Sequence, residues 1–152
     1  MSQRDAERGR TYDAEFQVRE VFSRPGTMIE IAGTTFLTPE ERKFGRVEDI
    51  QRYVDAVLAH VDHDRPVKVR VRKGIHQAHY EPLNETIAIP EAVWAMREIV
   101  VLHEIAHHLT KHSAPSHGPA FRTALCDLLE RALAPEARFL MQMAFWDHGL
   151  TA

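Results

Sequence analysis

The stretch VVLHEIAHHL, residues 100–109, sets three histidines and a glutamate into an otherwise apolar run. On an α-helix successive residues turn about 100°, so His103 and His107 lie about 40° apart on one face, one turn from each other. Two imidazoles placed this way can converge on a single ion. Glu104 lies about 60° from His107, on the rim of the same face, where it can reach a water without joining the ligand set. Leu102, Ile105, Ala106 and Leu109 fill the other inner positions. Polar side chains in such a helix are costly unless they are paired. Two nitrogens to hold an ion, with one carboxylate to take a proton from water, is the arrangement that zinc hydrolysis requires.

A catalytic zinc takes three protein ligands and keeps a fourth position for water. The chain has ten histidines, five of them within residues 103–117. While the helix persists, His108 and His112 point about 120° and 160° away from the first pair. Ser113-Ala114-Pro115-Ser116 breaks the helix and lets the chain fold back. Gly118-Pro119 then opens another helix, with proline near its first position. His117, at that corner, is the expected third ligand. His112 is the reserve if the helix ends early, and a carboxylate ligand would have to come from Asp127 or Glu130. Tyr80 and His79, on a predicted AHYE strand, and His112 are candidates to stabilise an oxyanion, and Tyr80 is taken as a second catalytic residue.

HEIAHHL followed by HGPAF resembles the zincin metallopeptidases, and specifically the SprT-like group, in which H-E-x-x-H is followed by a loop histidine in an H-G-x-x-F context. That resemblance spans mainly residues 99–125. It implies a zinc-dependent peptidase with His103, His107 and His117 as ligands and Glu104 as the catalytic acid/base. Through YDAEFQVREVF, VEDIQRYVDAVL, AHYE and VVLHEIAHHL the chain also resembles an uncharacterised actinobacterial family of metallohydrolases. SprT-like proteases act on DNA-bound proteins with the help of extra DNA-binding elements. No cysteine-based zinc ribbon is present here, and a nucleic-acid partner is not favoured.

The remaining elements follow from periodicity. Residues 1–10 are expected to be disordered, and 11–152 to form a single domain. Ala14, Val18, Val21 and Phe22 predict a helix over 11–22, and TMIEIAGTTFL a hairpin turning at Gly33-Thr34. Thr38-Pro39-Glu40-Glu41 has the form of a capping box. A helix is predicted over 47–62 and a strand over VKVRVR, whose Lys68, Arg70 and Arg72 read with Lys73 as a solvated basic face. Two short strands, 77–81 and 86–89, flank a turn at Pro82–Asn84. A long helix over 91–111 carries the motif, and two further helices follow. Met141, Met143, Phe145 and Trp146 are expected in the core, Cys126 as a buried apolar residue, and His60, His63, His76 and His148 at the surface. The order predicts an α+β fold: a compact zincin-like domain with a small, mostly antiparallel sheet packed on the HExxH helix.

Composition bounds the partners. At 44% hydrophobic and 27% charged the chain reads as soluble and globular, and a net charge of −3 gives no pull toward nucleic acid or anionic lipid. The single cysteine excludes an internal disulfide. A polar N-terminus and the lack of an apolar run of about 18 residues point to a cytoplasmic protein with no membrane partner. The expectation is a metallopeptidase with one Zn2+ per chain, cleaving peptide or protein amide bonds with Glu104 as general base. The alternatives are a non-catalytic zinc-stabilised binding or regulatory domain and a small-molecule amidohydrolase.

Overall fold

Ala14, Val18 and Phe22 recur every four residues, and in the computed structural model they form the buried stripe of the first helix. The structure describes residues 3–152, with side chains from residue 7 onward. The elements run α1 (Gln3–Phe22), β1 (Met28–Ile31), β2 (Thr34–Leu37), α2 (Val47–His60), β3 (Lys68–Arg72), β4 (His79–Glu81), β5 (Thr86–Pro90), α3 (Glu98–Leu109), α4 (Pro119–Ala132) and α5 (Pro135–Asp147). This is the α+β class expected. The backbone groups into two compact units, one of the N-terminal residues through Glu41 with His112–Ala152, the other of Arg42–Lys111.

In the first unit α1 packs on α5, which also packs on α4. α1 begins at Gln3, eight residues before the expected start, so most of the segment expected to be disordered is helical. Local and distant bonds hold that extra length: Thr11 Oγ1 donates to the Glu7 carbonyl at 2.7 Å, and the Arg10 guanidinium reaches the carbonyls of His148 and Gly149 at 3.4 Å. Residues 1 and 2 lie outside the described residues. The β1–β2 hairpin turns at Ala32-Gly33, one residue earlier than predicted, with φ of 51° and 79°. Two positive φ values are what a two-residue hairpin needs to match the strand twist. This register pairs Ile29 with Phe36, and the Phe36 ring meets Phe139 of α5 edge-on at 5.9 Å. Thr38 caps no helix. Its N–H and hydroxyl both donate to the Thr27 carbonyl, at 2.8 and 3.0 Å, and close the base of the hairpin. Cys126 and Phe145 are buried as expected, but Trp146 is 72% exposed on the outer face of α5.

In the second unit β5 is the middle strand of a three-stranded sheet, parallel to β3 and antiparallel to β4. This sheet is thus mixed, and with the β1–β2 hairpin two of the three strand pairings are antiparallel, as expected. All five residues of β5 are buried, as a strand covered on both faces requires. α2 packs on β3 through its Ile50, Val54, Val57 and Leu58 stripe. Both arginines of β3 are engaged: Arg70 pairs with Glu81, and Arg72 donates to the Gln77 carbonyl at 3.0 Å. β4 packs on α3. None of the described helices is long and apolar enough to cross a membrane.

α3 is shorter than the helix predicted over 91–111. Residues Arg42–Phe44 run beside Met96–Glu98 and take their backbone groups: Phe44 N–H donates to the Met96 carbonyl and Glu98 N–H to the Arg42 carbonyl, both at 3.0 Å. Trp94 is held by its indole N–H on the Ile75 carbonyl at 2.8 Å. Glu98, fully buried in the first turn of α3, accepts from the Arg42 N–H (2.9 Å), the Arg42 guanidinium (2.8 Å) and the Tyr53 hydroxyl. Replacing Glu98 with Ala strands these donors. The unfolding free energy should fall by about 1–3 kcal/mol, read as a lower urea midpoint at unchanged m value.

Candidate metal centre

α3 is buried on nearly every side, from Glu98 through Ala106 and again at His108, so its polar side chains need partners within the protein. His103 and His107, one turn apart, bring their Nε2 atoms to 3.1 Å with the rings at 71°. His103, His107 and His117 each place one ring nitrogen within 4.8 Å of the others, close enough to bind a metal ion. Tetrahedral zinc with bonds of about 2.0–2.1 Å separates two of its nitrogens by about 3.3–3.4 Å. The separation on α3 is within a few tenths of an ångström of that value. Glu104 is 4% exposed beside the cluster's first histidine.

His117 reaches its place through the loop that follows α3. Thr110 ends the helix, its N–H and hydroxyl donating to the Ala106 carbonyl at 3.1 and 2.7 Å. His112 lies beyond that end and is exposed, so it is not brought into the cluster. The loop turns back where the Gly118 N–H donates to the Pro115 carbonyl at 2.9 Å. A Cβ at Gly118 would stand 2.9 Å from the Pro115 ring, so only glycine fits that approach. The His117 ring then lies between Tyr12 and Phe121, with centroids 5.2 and 5.0 Å away. Its carbonyl accepts from Arg122 at 2.8 Å. Asp127 and Glu130, the carboxylates considered as ligands, pair instead with Arg138.

His108 points away from the cluster, as its helix angle predicts, but it is no surface bystander. It is 2% exposed, with Nε2 on the Arg65 carbonyl at 2.9 Å and Nδ1 on the Tyr80 hydroxyl at 2.8 Å. Burial lowers its pKa, partly opposed by the Arg65 carbonyl, so the ring is neutral near pH 7. A carbonyl only accepts, so Nε2 carries the proton and Nδ1 accepts from Tyr80. Burial, with Glu85 nearby, pushes the Tyr80 phenol up to about 12. Tyr80 stays protonated and directs its single proton at His108, while its ring lies parallel to that of His107 at 6.5 Å. His79 is exposed on the same strand. Sequence reasoning missed the His108–Tyr80–Arg65 chain and the bond from Arg122. An arginine inside the apolar row Phe121, Leu125 and Leu128 was the available signal for the second.

Beyond the helix end, Lys111 and Arg65 converge on Glu85, with the Arg65 Nε at 2.8 Å. Glu85 holds a left-handed backbone, φ 46°, which costs a non-glycine residue about 1–2 kcal/mol. The Lys111 and Arg65 bonds drop its carboxyl from 4.5 to about 2. A pKa depressed by folding stabilises above its unfolded value and loses that effect as pH falls through the folded one. Glu85→Gln should therefore be less stable than wild type at neutral pH. The gap should close as pH falls from about 4.5 to about 2, followed by thermal unfolding across that range.

Comparison of the chain with protein-family models, with curated proteins and with solved structures finds no match in any of the three. What the site does has to be inferred from its own residues.

Proposed function

We propose that the chain is a zinc-dependent hydrolase, a metallopeptidase acting on peptide or protein amide bonds. The observation that carries this reading is the convergence of His103, His107 and His117, with Glu104 buried and next in sequence to the first of them. Three imidazole nitrogens suit zinc and other borderline transition ions, whereas magnesium and calcium take oxygen ligands. When bound, zinc lowers the pKa of water and polarises a carbonyl oxygen. Glu104 accepts the proton from the attacking water and returns it to the leaving amine. A buried carboxylate following directly on a ligand suits a catalytic site, where it can serve as the base.

An extended peptide fits this reading better than a small molecule. β4 is an edge strand with one side unpaired in the sheet, and it packs on the helix that carries the first two ligands. That outer edge can pair with a substrate strand. The other strand of that predicted pair, Thr86–Ile89, belongs to β5, which is paired on both sides.

Metal analysis of the purified protein should give about one zinc per chain, lost when His103 and His107 are replaced by Ala. Glu104→Gln should keep the zinc and lower turnover of a peptide library by about 10²–10⁴. A native protein free of metal would remove the ion from this reading, and unaltered turnover would remove Glu104 from its role.

A further inference from the structure

Arg122 stands in α4 among apolar neighbours and is 2% exposed. Its Nε donates to the Thr151 carbonyl at 2.6 Å and its Nη1 to the His117 carbonyl at 2.8 Å. Neither acceptor carries a charge, and burial lowers the guanidinium's pKa, only partly opposed by Glu7. A buried cation held by main-chain carbonyls is a costly choice where a hydrophobic residue would pack. The two bonds, however, act on one feature. They fix the backbone of the loop histidine, whose ring is already confined by Tyr12 and Phe121. The Arg122 N–H also closes the first turn of α4 on the Gly118 carbonyl at 3.1 Å, so side chain and backbone grip two consecutive residues.

We infer that Arg122 is the positioning residue for His117, its planar fork tying the third ligand to the chain segment at Thr151. The inference rests on the metal reading above. Lysine cannot replace it, because a single ammonium lacks the fixed fork that spans two carbonyls. Partners that orient a metal ligand are typically worth about 10–100-fold in metal affinity.

The test is zinc affinity by competition with a chromophoric chelator, on full-length wild type, H117A, R122M, R122K and the double variant R122M/H117A. Folding of each is checked by circular dichroism. R122M should bind zinc about 10–100-fold more weakly than wild type, and R122K should also fall. On the H117A background R122M should change nothing, because its effect passes through His117. Cobalt-loaded R122M should show the weakened visible band of H117A. Unchanged affinity in R122M overturns the inference. So does an equal loss on both backgrounds, which would mean general loosening. If R122M does not fold, a chain lacking Thr151 and Ala152 carries the test, with reduced affinity expected and unchanged affinity overturning it. Should wild type bind no zinc, or H117A bind as wild type does, the metal reading itself falls. If H117A loses zinc and R122M does not, only the role of Arg122 falls.

Discussion

The second unit is organised around one buried carboxylate. Glu98 lies at the start of α3 with no solvent, and it holds Arg42 through both backbone and guanidinium and Tyr53 through its hydroxyl. These bonds fix where α3 begins, and with it the rotation of the helix. Because His103 and His107 sit on the same helix as Glu98, the direction in which both leave the backbone is set about one and a half and two and a half turns away. At the other end Tyr80, His108 and the Arg65 carbonyl lock the same helix against β4 and the segment before β3. A site built on an element held at both ends needs little reorganisation when it binds a ligand. That is the condition under which two nitrogens can stand near 3 Å apart.

The three strands of this unit's sheet divide the work by chemistry. β5 is buried on both faces and supplies the apolar layer, while β3 keeps its charges at the surface, where Glu81 and the Gln77 carbonyl engage them. β4 contributes Tyr80 inward and still leaves one backbone edge unpaired in the sheet. Short edge strands are normally guarded against association with other chains. A three-residue strand is too short to template aggregation, yet long enough to hold two or three residues of an extended ligand.

Much of this was legible in residue spacing. The four-residue recurrence of Ala14, Val18 and Phe22 and the stripe through Ile50, Val54 and Val57 mark helices because burial follows period. The motif on α3 and the break at Ser113–Ser116 are enough to bring out the trio of histidines. What escaped depends on distant partners. Nothing local in Glu91–Arg97 says that Arg42–Phe44 will claim its backbone, or in Thr38 that Thr27 will outcompete a helix cap. Periodicity places Trp146 in the core, but α5 turns that position outward. For Arg122 the apolar residues around it are a local signal, but its two carbonyl partners are seen only in the fold.

The spacing of the three histidines has a thermodynamic side. His103 and His107 are four residues apart and His117 follows ten later, so the whole set spans fifteen residues of chain. Closing so short a loop removes little entropy from the unfolded chain, since closure entropy grows only with the logarithm of loop length. An unfolded chain also keeps part of the same chelate and competes for the ion, which reduces the stabilisation that binding would otherwise confer. In small zinc domains the ion replaces a missing core. Here the apolar interiors of both units are formed mainly from hydrophobic residues distant in sequence, with His103 and His117 also buried. An ion held by the three histidines would be a local fitting on a scaffold assembled largely without it.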